Sequence, residues 1–114
     1  ITGPTGDISY RQGRSTGYAD DPYLVIGAEK HDAGSEFPSY AGWIDELRIS
    51  STVRYTSSFT APRAQLPVDG ATAALYRFNE GSGTLARDAS GGDDGTLLVG
   101  GSPVGPVWST DRPF

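Results

Sequence analysis

The chain has 114 residues, 9 Lys+Arg against 14 Asp+Glu and a net charge of −5, which leaves room for one domain at most. Its 16 Gly and 8 Pro, 24 positions in all, interrupt helices too often for a helical bundle, and the acidic balance without a basic cluster gives nucleic-acid phosphates nothing to pair with. Cysteine is absent and His31 is the single histidine, so disulfide frameworks and the usual zinc sites are excluded, and no apolar run approaches the roughly 18 residues of a membrane span.

In chain order, short apolar runs of strand length, each bounded by turn residues, occur at 7–12 (DISYRQ), 22–28 (PYLVIGA), 40–50 (YAGWIDELRIS), 72–79 (TAALYRFN) and 95–99 (GTLLV). The helical period is almost missing. In the third run, alternation puts Trp43, Asp45, Leu47 and Ile49 on one face and Ile44, Glu46 and Arg48 on the other, so one acid interrupts an apolar row and Trp43 is expected in the core. In the fourth, Ala74, Tyr76 and Phe78 share a face, and the two rings are expected to point inward. The connections at 13–21, 29–39, 51–71 and 80–94 are long and polar, as at the loop-rich ends of a β-sandwich. The tail SPVGPVWSTDRPF (102–114) has no alternation and is expected to dock on its own domain, the alternative being a neighbour's sheet edge.

Three phrases carry a family resemblance: YAGWIDELRIS (40–50), VRYTSSFTAP (53–62) and ALYRFNEGSGTLARDASGGDDGTL (74–97). Across roughly residues 22–114 the chain resembles the laminin-G-like, concanavalin-A-like jelly rolls of secreted and surface proteins of bacteria and of virion tail fibres. The resemblance implies an all-β, antiparallel sandwich of jelly-roll type. The order of phrases departs from the family, because the one that usually closes the jelly roll precedes the one that usually opens it, and the central strands are not recognisable. The expected organisation is therefore residues 1–62 as strands of a C-terminal half, 63–71 as a linker, and 72–114 as terminal strands and tail of the same or a neighbouring sandwich. Either the chain is a fragment whose last part completes its own sandwich, or another copy or a companion fragment of one precursor supplies the missing strands.

The family often holds a structural calcium near these phrases, and Asp45, Asn79, Glu80 and Asp88 are the residues onto which that carries. Calcium takes six to eight oxygen ligands, and an acidic strand residue beside glycine-rich acidic turns offers them. The competing reading pairs Asp45 with Arg48 or Arg77 and leaves the loop acids in water. Tyr18, Phe37 and Tyr40 flank the long loops and are candidates for stacking on sugar rings. Catalysis is not expected: Asp45 and Glu46 are neighbours that a strand sends to opposite faces, His31 has no positioned partner, and Gly81-Ser82-Gly83 lacks the spacing of a nucleophile elbow. The resemblance points to a non-catalytic extracellular or cell-surface recognition or adhesion module for a glycan or another surface polymer. The alternative is a structural subunit of a surface fibre or virion appendage, assembled by strand sharing.

Overall fold

The computed structural model describes residues 24–28, 35–36, 38–97 and 105–111. The strand expected at 7–12 and the candidate residues Tyr18 and Phe37 lie outside them. Contacts divide the chain into two units between Gly42 and Trp43.

In the first unit, the apolar run expected as a strand over 22–28 is not one in its described part, Leu24 to Ala28. Gly27 takes φ +84°, a left-handed turn open to glycine at no steric cost, and its carbonyl accepts the Tyr40 N–H at 2.7 Å. Leu24 and Ile26 stay exposed. Apolar alternation makes a strand only where a neighbouring strand takes up its hydrogen bonds, and among the described residues none does so here.

The second unit carries β1 (Leu47–Ser50), β2 (Thr72–Tyr76), β3 (Leu85–Ala86) and β4 (Gly95–Thr96). They form two two-stranded antiparallel sheets, β1 with β2 and β3 with β4, so the regular structure among the described residues is all β. None of these residues forms a helix long and apolar enough to cross a membrane. The β1–β2 register pairs Leu47 with Tyr76, Arg48 with Leu75 and Ile49 with Ala74, then slips by a bulge so that Ser50 meets Thr72.

Both strands are shorter than alternation alone predicts, and a left-handed residue stands just before β1 and two positions past the end of β2. Glu46 and Phe78 hold φ +50°, a conformation in which Cβ crowds the backbone. At Glu46 a local bond accompanies it, the Asp45 Oδ1 accepting the Glu46 N–H at 2.9 Å. The expected single face through Trp43, Asp45 and Leu47 is broken there, and Trp43 is 71% exposed rather than in the core. Past β2, the expectation for Tyr76 and Phe78 also changes: both are only part-buried, while Leu75, on the opposite face, has no exposed surface. The backbone of Leu75 is bonded to Asp88 and Ala89, a long-range arrangement that ring size in the sequence does not reveal.

Tyr76 joins the two sheets. A Cβ added at Gly95 would stand 3.5 Å from the Tyr76 ring and 3.6 Å from the Ala86 Cβ, and the Tyr76 hydroxyl donates to the Asp93 carbonyl at 2.7 Å. Burial and the charges of Asp88, Asp93 and Asp94 push the Tyr76 phenol above its ordinary pKa. The apolar core of the described residues is thin, consisting of Leu75 and Ala86.

Segment 63–71, expected as a linker, is bonded into the second unit at Leu66, Pro67, Asp69 and Ala71. Glu46 Oε2 accepts the Leu66 N–H at 2.9 Å, while Arg77 donates to the Leu66 carbonyl at 2.9 Å and lies 3.4 Å from Glu46 Oε1. Farther along, both terminal nitrogens of Arg54 meet the Asp69 carboxylate at 2.6 Å and its Nε donates to the Ser50 hydroxyl at 3.0 Å. Asp69 also accepts the Ala71 N–H and the Thr72 hydroxyl, at 3.0 and 3.1 Å. The hydrogen bonds from Arg54, Ala71 and Thr72 hold the Asp69 carboxyl well below the usual carboxylate range.

Candidate functional site

The acidic turns after β2 fold around the carboxylate of Asp88. Its Oδ1 accepts the N–H of Leu75 at 2.9 Å and of Ser90 at 2.8 Å, its Oδ2 accepts the N–H of Gly92 at 3.1 Å, and the Ser90 hydroxyl lies 2.7 Å from both oxygens. The backbone bridges the same strand, with Ala89 N–H donating to the Leu75 carbonyl at 2.8 Å. The outer edge of β2 is thereby closed by a loop instead of a strand. Asp88 is buried. Burial by itself would push its carboxyl up, but the bonds from Leu75, Ser90 and Gly92 outweigh it and hold the group below its ordinary value.

The spelling Asp-Ala-Ser-Gly-Gly over 88–92 follows from this geometry. Gly91 takes φ +83°, and a Cβ at Gly92 would stand 2.8 Å from Asp88 Oδ2. Two neighbouring acids continue the pattern: Asp94 Oδ1 accepts the Asp88 N–H at 2.8 Å, and Glu80 Oε1 accepts the Arg87 N–H at 2.8 Å. The tail returns to the same unit, as its default reading expects, with the Trp108 indole N–H donating to the Gly83 carbonyl at 2.8 Å.

An open depression of about 400 Å³ is lined by Arg77, Asn79, Glu80, Arg87, Asp88 and Ala89. It brings together three of the four residues onto which calcium ligation was carried. Glu80 Oε2 is buried without a hydrogen-bond partner among the described residues. The other groups fit a cation poorly. A carboxylate offers about four acceptor positions, and four donors already fill Asp88. Arg77 and Arg87 line the same depression. Asp45 is exposed and its Oδ1 is engaged by the Glu46 N–H. Among the described residues no three His, Cys, Asp or Glu side chains gather as a metal ion requires, so this donor set does not fit calcium as arranged. The competing reading needs adjustment too: Glu46, not Asp45, pairs with Arg77, and Asp88 is buried rather than solvated.

Of the candidate stacking residues, Tyr40 is described and is 61% exposed. A feature absent from the sequence reading lies on the segment after β1. The rings of Tyr55 and Phe59 stack with centroids 3.7 Å apart and 6° between their planes, yet they remain 44% and 56% exposed. The aromatic pair four apart in RYTSSF was visible in the sequence, but without helical periodicity around it the spacing carried no signal.

Comparisons with protein-family models, with curated proteins and with solved structures find no match to this chain.

Proposed function

We propose that the chain belongs to a non-catalytic recognition or adhesion module with a concanavalin-A-like jelly-roll sandwich, acting outside the cell or on a surface, and that its ligand is a glycan or another surface polymer. The observation that supports this reading best is the exposure of large aromatic side chains, Tyr40, Trp43, Tyr55 and Phe59. Sugar rings present apolar C–H faces that lie well on aromatic rings. Three acids of the second unit, meanwhile, are spent on the scaffold: Asp88 on backbone donors, Glu46 on Leu66 and Arg77, and Asp69 on Arg54. The phrases YAGWIDELRIS and ALYRFNEGSG support the same class by resemblance. A glycan array with the folded, purified chain tests the reading. Retention on a defined set of glycans is the expected result, and a blank array from folded protein overturns it.

A second reading, a fibre or appendage subunit completed by strands of another chain, is favoured by the edges of the first sheet. The outer edge of β2 is closed by the 88–90 loop, whereas among the described residues Arg48, at the centre of β1, has no backbone partner on its outer side. An open edge above a thin core invites a further strand. Light scattering at micromolar concentration separates the two: assemblies favour the fibre reading, and a monodisperse 12.0 kDa species with a cooperative melt removes it.

A further inference from the structure

We infer that the stacked pair Tyr55–Phe59 is the platform on which one pyranose ring of a neutral oligosaccharide lies, an inference that rests on the glycan-binding reading above and locates its site. Arg54, immediately before Tyr55, is anchored twice, to Asp69 through both terminal nitrogens and to Ser50 at the end of β1. The root of the ring pair is therefore tied to a strand and to the 69–72 turn, and less ordering entropy is lost when a ligand lands on it.

The ring geometry leaves a use for a third partner. At 3.7 Å and 6° the two rings lie nearly face to face, an arrangement that sets one electron-rich face against another and is less favourable than an offset or edge-on contact. Each ring spends one face on the other, and the two residues remain 44% and 56% exposed. A pyranose presents a flat array of polarised C–H groups, whose positive ends suit an aromatic face.

Between the rings lie Thr56, Ser57 and Ser58, all exposed. None of their hydroxyls bonds to another described residue, so the segment that carries the two rings also carries three exposed groups that both donate and accept. The charge pattern selects the ligand class. Residues 55–62, YTSSFTAP, carry no charged side chain, and the guanidinium next to them is already neutralised by Asp69. The net charge of −5 on the chain disfavours a polyanion as ligand. A neutral polyol uses both the ring faces and the hydroxyls.

The test uses the whole chain with cellohexaose, maltohexaose and chitohexaose as probes, read first by saturation-transfer NMR with irradiation of the aromatic protons. The expected result is transfer to the sugar C–H protons, with shifts in the ring resonances of Tyr55 and Phe59. Phe59→Ala and Tyr55→Ala should each weaken binding at least tenfold, and Phe59→Trp should retain it. If a sugar binds but the Tyr55 and Phe59 resonances stay still, the platform is overturned and the glycan reading stands. If no neutral sugar binds to the wild-type chain here or on the array, both fall. The ring shifts are measured on the unaltered protein, so poor folding of an alanine variant does not obscure the outcome.

Discussion

The carboxylate of Asp88 stands 2.9 Å from the N–H of Leu75, tying the acidic loop to the strand residue whose side chain is fully buried. Replacing Asp88 by Ala leaves the N–H groups of Leu75, Ser90 and Gly92 without that acceptor. A buried donor stripped of its partner costs about 1–3 kcal/mol. With water re-entering at the loop side, we expect Asp88→Ala to destabilise the second unit by about 3 kcal/mol, read as a lower urea midpoint. An unchanged midpoint would mean that the loop is held by other contacts.

The same carboxylate gives stability a pH dependence of known sign. Its pKa is lower in the folded chain than in the unfolded one, so its contribution is complete above the unfolded value of about 3.9 and is lost as pH falls through the lower folded value. Asp69, held down first by Arg54, acts in the same direction. The melting temperature is expected to be level near neutrality and to drop below about pH 4. Asp88→Asn should flatten that acid limb and lower the plateau. An acid limb identical to wild type would assign the dependence to other carboxyls.

Three glycines separate conformation from space. Gly91→Ala places a side chain at φ +83°, costing about 1 kcal/mol. Gly92→Ala drives a methyl to 2.8 Å from Asp88 Oδ2 and must displace the carboxylate, so it should cost more. Gly70, with nothing within 4 Å of an added Cβ and no positive φ, is the control, and Gly70→Ala should be neutral or stabilising by up to about 1 kcal/mol. Thermal melts of the three variants should rank them Gly70→Ala, Gly91→Ala, Gly92→Ala in decreasing stability. A different order would show that the loop relaxes around the added methyl.

Glu46 combines a strained backbone with a structural carboxylate. Its φ of +50° is disfavoured for any residue but glycine, while its oxygens hold Leu66 and meet Arg77. Glu46→Gly therefore relieves the backbone and loses the clamp, whereas Glu46→Ala loses the clamp and keeps the strain. Both should destabilise, the Ala variant more, by about 1 kcal/mol. Equal effects would show that the left-handed turn survives without strain.

These residues also mark where the sequence was readable. Alternation in DELRIS and TAALY located the two longest strands, β1 and β2, and the turn-bounded GTL opening at residue 95 located β4. Strand ends were not legible, because they are set by positive φ at Glu46 and Phe78 and by side-chain bonds that reach 20 or more residues away, as from Glu46 to Leu66. Face assignment failed at Trp43, which precedes the left-handed turn at Glu46, and at Leu75, whose backbone partners lie 13 or more residues away. Asp88 was recognised as an oxygen donor set among glycines, but its acceptor positions serve Leu75, Ser90 and Gly92, a demand visible only when the strand lies beside the turn.

That demand bears on calcium. A cation bound only by the folded chain would raise stability by about 2.7 kcal/mol at a hundredfold excess over its dissociation constant. Here Asp88 has no acceptor position to spare, Arg77 and Arg87 line the same depression, and Glu80 Oε2 is the single buried side-chain oxygen left without a partner among the described residues. Calcium takes six to eight oxygen ligands, and Asp88, with its acceptor positions held by Leu75, Ser90 and Gly92, adds none. The melting temperature is therefore expected to be the same in EDTA and in millimolar Ca²⁺, and Glu80→Gln should leave that insensitivity intact. A calcium-dependent rise of several degrees that Glu80→Gln abolishes would instead place the ion at Glu80 and require Asp88 to exchange its backbone partners for metal.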